Sequence, residues 1–490
     1  MSAAAALPIA GNETRAYRLG EFHRFESAGA NFLYLVPAGA IFAVDREVGK
    51  LIRCLSTGEL SHEQLVRQLA ESGLSSADAE ELIAEMVHSH VILSGDSEPD
   101  PPQPLPDHFP IQTLVMNLTN QCNLSCQYCY EFGADKLATP AGKPKFMDIE
   151  TAKTSVDFLL NESGDRRSVH ITFFGGETLM NFPLLKQVVE YANARAAEQG
   201  RHVDFSLTTN ATLLTPGSIE FLSEKHIGVT VSMDGPKEMH DALRVFSNGR
   251  GSYDIIEPKV RALIQNHRTR PITARVTLTS GVSDVIKIFR HLKQDLGFHE
   301  VGFAPVTSSP NQLYTIGKQG MDSVLEQFHQ LADEYLEHAL RGEAHGFSNV
   351  SDTLAELCQG VNKSHPCGAG LGLLGVGPSG DIAPCHRFVD SDAHALGHIS
   401  TGVDRAKQTD FLNRGHINSK YDCHTCWARP LCAGGCHHEA FVRYGDTGHP
   451  NLHYCDWIRD WTDTCLKIYG AIAAKNPGFL QQFAERKAAS

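Results

Sequence analysis

Apolar and polar positions along the chain follow two periods, and the change from one to the other divides the molecule. Residues 22–26, 32–36 and 40–45 are short runs with strand patterning, and three helical stretches follow them. The first covers 46–55. The second begins at Ser61, a cap, and carries Leu65 and Leu69 at helical spacing; the third begins at Ser76, read as its cap, and carries Ala79, Leu82, Ile83, Met86 and Val87. These elements predict a small separate unit over 1–94. The stretch SGDSEPDPPQPLPDHFP then places a proline-rich, acidic, semi-rigid spacer over 95–110.

From 111 to 345 strands alternate with helices. Apolar strand patterns lie at 113–118, 169–174, 205–209, 229–233, 273–278 and 301–304, with helical stretches such as 149–160, 184–198 and 284–296 between them. This alternation predicts an α/β fold with parallel strands. Six units are too few for a closed eight-stranded barrel, so the expected architecture is a partial (β/α)6 barrel with its chemistry at the C-terminal strand ends. Residues 346–490 are weakly periodic and rich in Cys, Gly and His. Such a segment needs something other than a large apolar core to hold it. The pattern over 457–472 is helical and a polar tail follows.

Composition narrows the function classes. The chain has 490 residues, 42% of them hydrophobic and 20% charged, a balance suited to two to four soluble domains. No apolar run reaches the roughly 18–20 residues of a membrane span. The start, MSAAAALPIAGNETR, lacks a basic leading segment and does not read as a signal peptide, so a cytoplasmic location is expected. A net charge of −14 leaves no cationic excess to neutralise phosphates, which argues against nucleic acid as a partner. Thirteen cysteines in so long a chain, an odd number and without a secretory signal, point to metal or cluster ligation over a disulfide framework.

Cys122, Cys126 and Cys129 lie in NQCNLSCQYCYE, directly after the first barrel strand. Three thiolates on one loop can hold three irons of a cubane and leave the fourth open to a small chelator, such as the amino and carboxylate groups of a methionine moiety. A zinc site would want a fourth ligand here. Gly175, Gly176 and Glu177 end the second strand. The glycines permit close approach of backbone to a ligand, and Glu177 is suited to accept from an ammonium. Thr208, Thr209 and Asn210 end the third strand, and Ser232, Met233 and Asp234 the fourth. Arg244, in HDALR, is suited to a carboxylate, and Asp234 to a general base. Each alone reads as turn or cap chemistry; their recurrence at successive strand ends carries the weight.

The triplet at this position resembles the radical S-adenosylmethionine (radical SAM) superfamily. The resemblance implies one 4Fe-4S cluster on Cys122, Cys126 and Cys129. It implies cofactor contacts at Tyr128, Gly175, Gly176, Glu177, Thr208, Asn210, Ser232 and Arg244, with the backbone of Tyr128 meeting the adenine. Farther on come Cys367, Gly380 and Cys385, then Cys423, Cys426, Cys432 and Cys436 as C-x2-C-x5-C-x3-C, then Cys455. This seven-cysteine layout resembles the SPASM extension of peptide-modifying radical enzymes; a zinc ribbon does not use seven. It implies two auxiliary 4Fe-4S clusters, three clusters in all. The outer one takes Cys423, Cys426, Cys432 and Cys455, and the inner one Cys367, Cys385 and Cys436. Its fourth ligand is either Cys358 or an open iron that binds a substrate thiolate. Cys54 and Cys465 read as core thiols. His386, His424, His437 and His438, beside ligands, read as second-layer donors or solvated groups.

The N-terminal unit resembles the winged-helix-like clamp typified by the pyrroloquinoline quinone biosynthesis chaperone, which holds a leader peptide as an added strand; a packing domain without a ligand is the plainer alternative. The segments HRFESAGANFLYLVPAGAIFAVD and MNLTNQCNLSCQYCYEFGADKLATPAGKPKFM resemble the enzymes that mature quinohaemoprotein amine dehydrogenase. That resemblance implies thioether links from cysteine sulfur to an Asp or Glu methylene in the dehydrogenase's small subunit. It implies that subunit as partner and a donor such as flavodoxin or ferredoxin. In this scheme an adenosyl radical abstracts the methylene hydrogen, Asp234 deprotonates the substrate thiol and an auxiliary cluster takes the surplus electron. The competing readings are another SPASM maturase (α-carbon thioethers or sulfatases) and a non-catalytic iron–sulfur or zinc peptide chaperone.

Overall fold

A computed structural model describes residues 16–95, 109–139 and 142–485. In the N-terminal unit, β2 (Phe22–Ser27), β3 (Ala30–Leu35) and β4 (Ala40–Val44) form an antiparallel sheet. A second small sheet pairs β1 (Ala16–Leu19) with β5 (Leu60–Ser61) and β6 (Ile92–Ser94). Strands of two to four residues carry too little periodicity to be read from the pattern, and all three of these were missed. The helices are α1 (Arg46–Leu55), α2 (His62–Glu71) and α3 (Ser76–His88). Asp45 caps α1 by accepting from the amides of Glu47 and Val48, and Ser61 forms a capping box with Gln64. The cap of α3 is Ser75, whose hydroxyl accepts from Asp78 N, and not Ser76, which is already helical. The spacer expected over 95–110 lies largely outside the described residues.

This unit is docked, not separate. Leu33 and Leu35 of β3 face Leu51, Leu65, Leu69 and Ile83 in its own core. The opposite face, with Phe25, Phe32 and Tyr34, joins the main core of the molecule. It rests on α15 (Cys455–Lys475), where His23 bonds Asp463 at 2.6 Å and Ser27 Oγ donates to Lys467 O at 2.5 Å. A Cβ at Gly470 of α15 would stand 3.0 Å from Ser27 Cβ and 3.1 Å from Phe32, so the small residue admits the close approach.

The barrel strands fall where the patterning places them: β7 (Thr113–Asn117), β8 (Ser168–Phe174), β9 (His202–Thr209), β10 (Gly228–Ser232), β11 (Ile272–Leu278) and β12 (Glu300–Pro305). All five pairings between consecutive strands are parallel. The crossovers are α4 (Ile149–Glu162), α5 (Phe182–Glu198), α6 (Pro216–Glu224), α7 (Lys237–Leu243), α8 (Tyr253–Asn266) and α9 (Val285–Arg290). Along each strand alternate residues point opposite ways. Val169, Ile171, Phe173, Val203, Phe205, Leu207, Val229, Val231, Ala274 and Val276 pack against the helices. The intervening residues line the inner face, which stays open because the barrel does not close.

The cysteine-rich part shares this sheet. β13 (Leu373–Val376) pairs parallel to β7, and β14 (Asp381–Ala383), β15 (Gly397–His398) and β16 (Gly402–Val403) continue antiparallel to give ten strands. Backbone pairing to β7 anchors this segment, Leu374, Val376 and Ile382 join the main core, and Cys385 follows two residues after β14. α10 (Lys318–Leu340), α11 (Ser348–Cys358) and α15 cover the far side, with α12 (Arg405–Gly415), α13 (Arg429–Cys432) and α14 (His437–Tyr444) around the cysteines. In place of a polar tail, α16 (Gly478–Glu485) buries Phe483. Among the described residues no helix is long and apolar enough to cross a membrane.

Candidate active site

The loop after β7 is pinned on two sides. Ser125 N donates to Val245 O at 2.7 Å beyond α7, and the segment after β8 holds the loop's other end: Gly176 N donates to Thr119 O at 3.1 Å and Glu177 N to Gln121 O at 2.9 Å. The two glycines are required by this contact. A Cβ at Gly175 would stand 2.3 Å from Thr119 O, and one at Gly176 2.3 Å from Gln121 O, with Gly175 also at φ +129°. Their freedom from side chains serves the cysteine loop first.

Cys122, Cys126 and Cys129 face one cavity of about 670 Å³. Cys122 Sγ accepts from Leu124 N at 3.4 Å and from Asn210 Nδ2 at 3.8 Å, the donor environment of a ligating thiolate. Burial, above all, pushes the thiols of Cys122 and Cys129 up to about 12, so only a bound cation makes them thiolates near neutral pH. Among the described residues no three His, Cys, Asp or Glu side chains converge on a single ion position. A cubane gives each thiolate its own iron and needs no such convergence, so the loop fits a cluster.

Around this loop the strand-end residues form two closed networks. Glu177 is buried; its Oε1 accepts from Thr209 Oγ1 at 2.6 Å and Leu179 N at 3.0 Å, and its Oε2 from Asn210 N at 2.7 Å. It ties the end of β8 to the end of β9, and burial still raises its pKa. Asp234, wholly enclosed, accepts from Tyr128 Oη at 2.5 Å, Arg244 Nε at 2.6 Å and Nη2 at 3.3 Å, and Thr277 N at 2.9 Å.

This corrects the reading of Asp234 as a general base. Burial alone would raise its pKa, but the Arg244 guanidinium holds it below the usual carboxylate range, and the carboxylate does not reach the cavity wall. The Nε and one Nη of Arg244 are spent on Asp234, and the guanidinium lies 5.4 Å from the Tyr128 ring centre. Any carboxylate contact of Arg244 must use what Asp234 leaves.

The cavity brings together Tyr128, Gly175, Gly176, Glu177, Thr208, Asn210, Ser232 and Arg244, as the strand-end argument expects. Its wall also holds Glu131, Arg275, Glu300, Asp352 and Arg387, which sequence reasoning missed, and His386, which it read only as a second-layer donor or solvated group. Arg275 left a signal: a charged residue in the middle of an apolar parallel strand belongs on an open inner face. Burial, then Asp390, raises the Glu131 carboxyl to about 8.

Cys423, Cys426, Cys432 and Cys455 line a second cavity of about 230 Å³, together with Cys436. Cys367, Cys385 and Cys436 form a neighbouring group whose thiols act on one another electrostatically. Lys420 lies between the two groups, buried, its Nζ donating to Ala433 O at 3.1 Å. An ammonium beside Cys423, Cys432, Cys367 and Cys436 offsets the charge of cluster thiolates, so these residues fit two clusters.

Cys358 does not join them. It ends α11 against the main core, near Tyr469, and burial alone raises its thiol to about 11. Its spacing before Cys367 suggests a ligand, but it packs on the main core and is absent from the groups that act on Cys367 and Cys385. Cys465 is fully buried and Cys54 packs on the N-terminal core. His437 bonds Thr447 O at 3.0 Å through Nδ1, both ring nitrogens of His438 are buried without a hydrogen bond, and the exposed His424 bonds Tyr421 O.

The family model of the radical SAM superfamily matches residues 116–312. The chain carries a radical SAM domain. Such a domain holds a 4Fe-4S cluster and S-adenosylmethionine, and the loop and cavity described above fit both. The chain is 37% identical over 139 residues to an uncharacterized protein of Methanocaldococcus jannaschii, which is 28% of this chain and 44% of that protein. It is 25% identical over 371 residues to the serine-type anaerobic sulfatase-maturating enzyme of Bacteroides thetaiotaomicron, 70% of this chain and 86% of that enzyme. The solved structure of anSMEcpe with bound AdoMet superposes with a TM-score of 0.63 at 21% identity, over 74% of this chain and 99% of that one. This last likeness extends the shared fold beyond the radical SAM domain.

Proposed function

We propose that the chain is a radical SAM peptide maturase that forms intrapeptide thioethers, joining cysteine sulfur to an Asp or Glu methylene in the small subunit of quinohaemoprotein amine dehydrogenase. One observation carries the reading. A single cavity is bounded on one side by Cys122, Cys126 and Cys129 and on the other by His386 and Arg387, the two residues that follow Cys385. When bound there, S-adenosylmethionine and the clusters supply hydrogen-atom abstraction and a sink for the surplus electron. The chain's own residues enclose the reacting segment. Tyr130, its ring 5.9 Å from His386 and under the Arg387 guanidinium at 4.8 Å, lines the cavity near both Cys129 and Cys385. A peptide substrate also suits the N-terminal unit. The edge strand β4 borders a groove of about 440 Å³ with Leu33, Leu82 and Met86 on its floor and Asp45, Glu81 and Glu85 on its walls.

The likeness to a sulfatase-maturating enzyme favours a second reading, oxidation of a Ser or Cys side chain to an aldehyde. Incubating reduced, reconstituted protein with the small subunit and S-adenosylmethionine separates the two. A thioether product resists thiol alkylation and fragments as a cross-linked loop; an aldehyde captured by a hydrazide, on a peptide that fragments as a linear chain with its remaining cysteines alkylated, rejects the thioether assignment.

A further inference from the structure

Inside the cavity, register places Arg275 of β11 beside Ser232 of β10 on one side and Gly302 of β12 on the other. Gly302 has no side chain, and the Arg275 guanidinium uses that space. A Cβ at Gly302 would stand 3.4 Å from Arg275 Nη1 and 2.7 Å from Ser348 Oγ. Arg387 enters the same cavity from the loop after β14, its guanidinium 4.8 Å above the Tyr130 ring centre. Among the described residues neither guanidinium is held by a carboxylate in an ion pair. Asp352 is the acidic group that acts on Arg275; Cys436, Tyr130 and Cys385, and after them Glu439, act on Arg387.

The other charged groups on the wall are otherwise placed. Arg244 is paired with Asp234, Glu177 is tied to the ends of β8 and β9, Glu300 acts on Lys293, and Glu131 borders Cys129. Burial is the main cost of the Arg275 charge, and Arg387 lies near enough to add repulsion to it. Two guanidiniums facing one cavity form a site for a single anion, and the planar fork suits a carboxylate.

We propose that Arg275 and Arg387 bind one side-chain carboxylate of the peptide substrate and so select the acidic residue that is modified. Naming that residue as the modified one rests on the thioether reading; the carboxylate site stands on the two guanidiniums and the cavity. No bond to the carboxylate changes, so neither arginine exchanges a proton or electron.

The test uses reconstituted holoenzyme and two fluorescently labelled hexapeptides, each with one cysteine, that differ by a single Glu or Gln. Dissociation constants are measured with and without saturating S-adenosylmethionine. A charge-assisted pair of contacts gives the Glu peptide an advantage of about tenfold or more. The advantage is expected to persist with S-adenosylmethionine bound and to fall toward one in Arg275→Gln and in Arg387→Gln. Equal affinities in the unmodified enzyme, an advantage that vanishes once S-adenosylmethionine saturates, or one kept in both variants would each overturn the proposal. Mass spectrometry of the Glu peptide after turnover reports separately on the reaction. An advantage of the expected size with no thioether formed rejects the thioether reading and upholds the carboxylate site.

Discussion

Replacing Asp234 with Asn leaves the buried Arg244 guanidinium beside a neutral amide and removes an acceptor from Tyr128 and Thr277. Breaking a buried ion pair from one side costs on the order of 3–5 kcal/mol. The variant is expected to melt lower and to lose S-adenosylmethionine cleavage as well as product. Unchanged melting and cleavage with product alone abolished would restore Asp234 as the base. Gly176→Ala forces a Cβ to 2.3 Å from Gln121 O and displaces the cysteine loop. Iron analysis should show it losing the same cluster as a Cys122→Ala chain. At this scale the sequence exposed positions but not partners. Asp234 was visible at a strand end, whereas its pairing with Arg244, ten residues on, depends on how α7 turns back.

The six barrel strands were legible because each buries one apolar face, and a period of two survives in seven or eight residues of β8, β9 and β11. β13 to β16 were not, since strands of two to four residues take their stability from the neighbour they pair with. On the inner face near the N-terminal strand ends, Asp204 of β9 bonds His170 Nδ1 at 3.1 Å and Arg270 Nη1 at 3.2 Å. Burial would raise its pKa, but His170 and then Arg270 bring it down to about 2. A depressed carboxylate pKa gives stability that is present above the unfolded value, about 3.9, and lost as pH falls toward the folded one. Asp204→Asn should therefore narrow its stability deficit against the unmodified chain between about pH 4 and pH 2. A deficit constant across that window in paired unfolding curves would show that Asp204 contributes no linkage.

Across the whole molecule, the cysteine spacings announced the grouping of Cys423, Cys426, Cys432 and Cys455, because ligands on one short segment constrain each other. Cys358 shows the limit of that logic, since nine residues before Cys367 it ends a helix and packs on the main core. Cys358→Ala is expected to keep all its iron, and a loss equal to one cluster would return it to the ligand set. The docking of the N-terminal unit was hidden for a different reason: Phe25, Phe32 and Tyr34 have the alternation of any half-buried strand, which does not say what covers them. Deleting residues 1–95 should uncover that face on α15 and destabilise the barrel.

The central claim is that the loop of Cys122, Cys126 and Cys129 holds a cluster with one iron open to S-adenosylmethionine. Its most direct measurement is the release of 5′-deoxyadenosine by anaerobically reconstituted, dithionite-reduced protein without any peptide. Release is expected, and it should disappear when the three cysteines are replaced by Ala. Sulfonium left intact by fully iron-loaded protein, or zinc found at this loop, would contradict it.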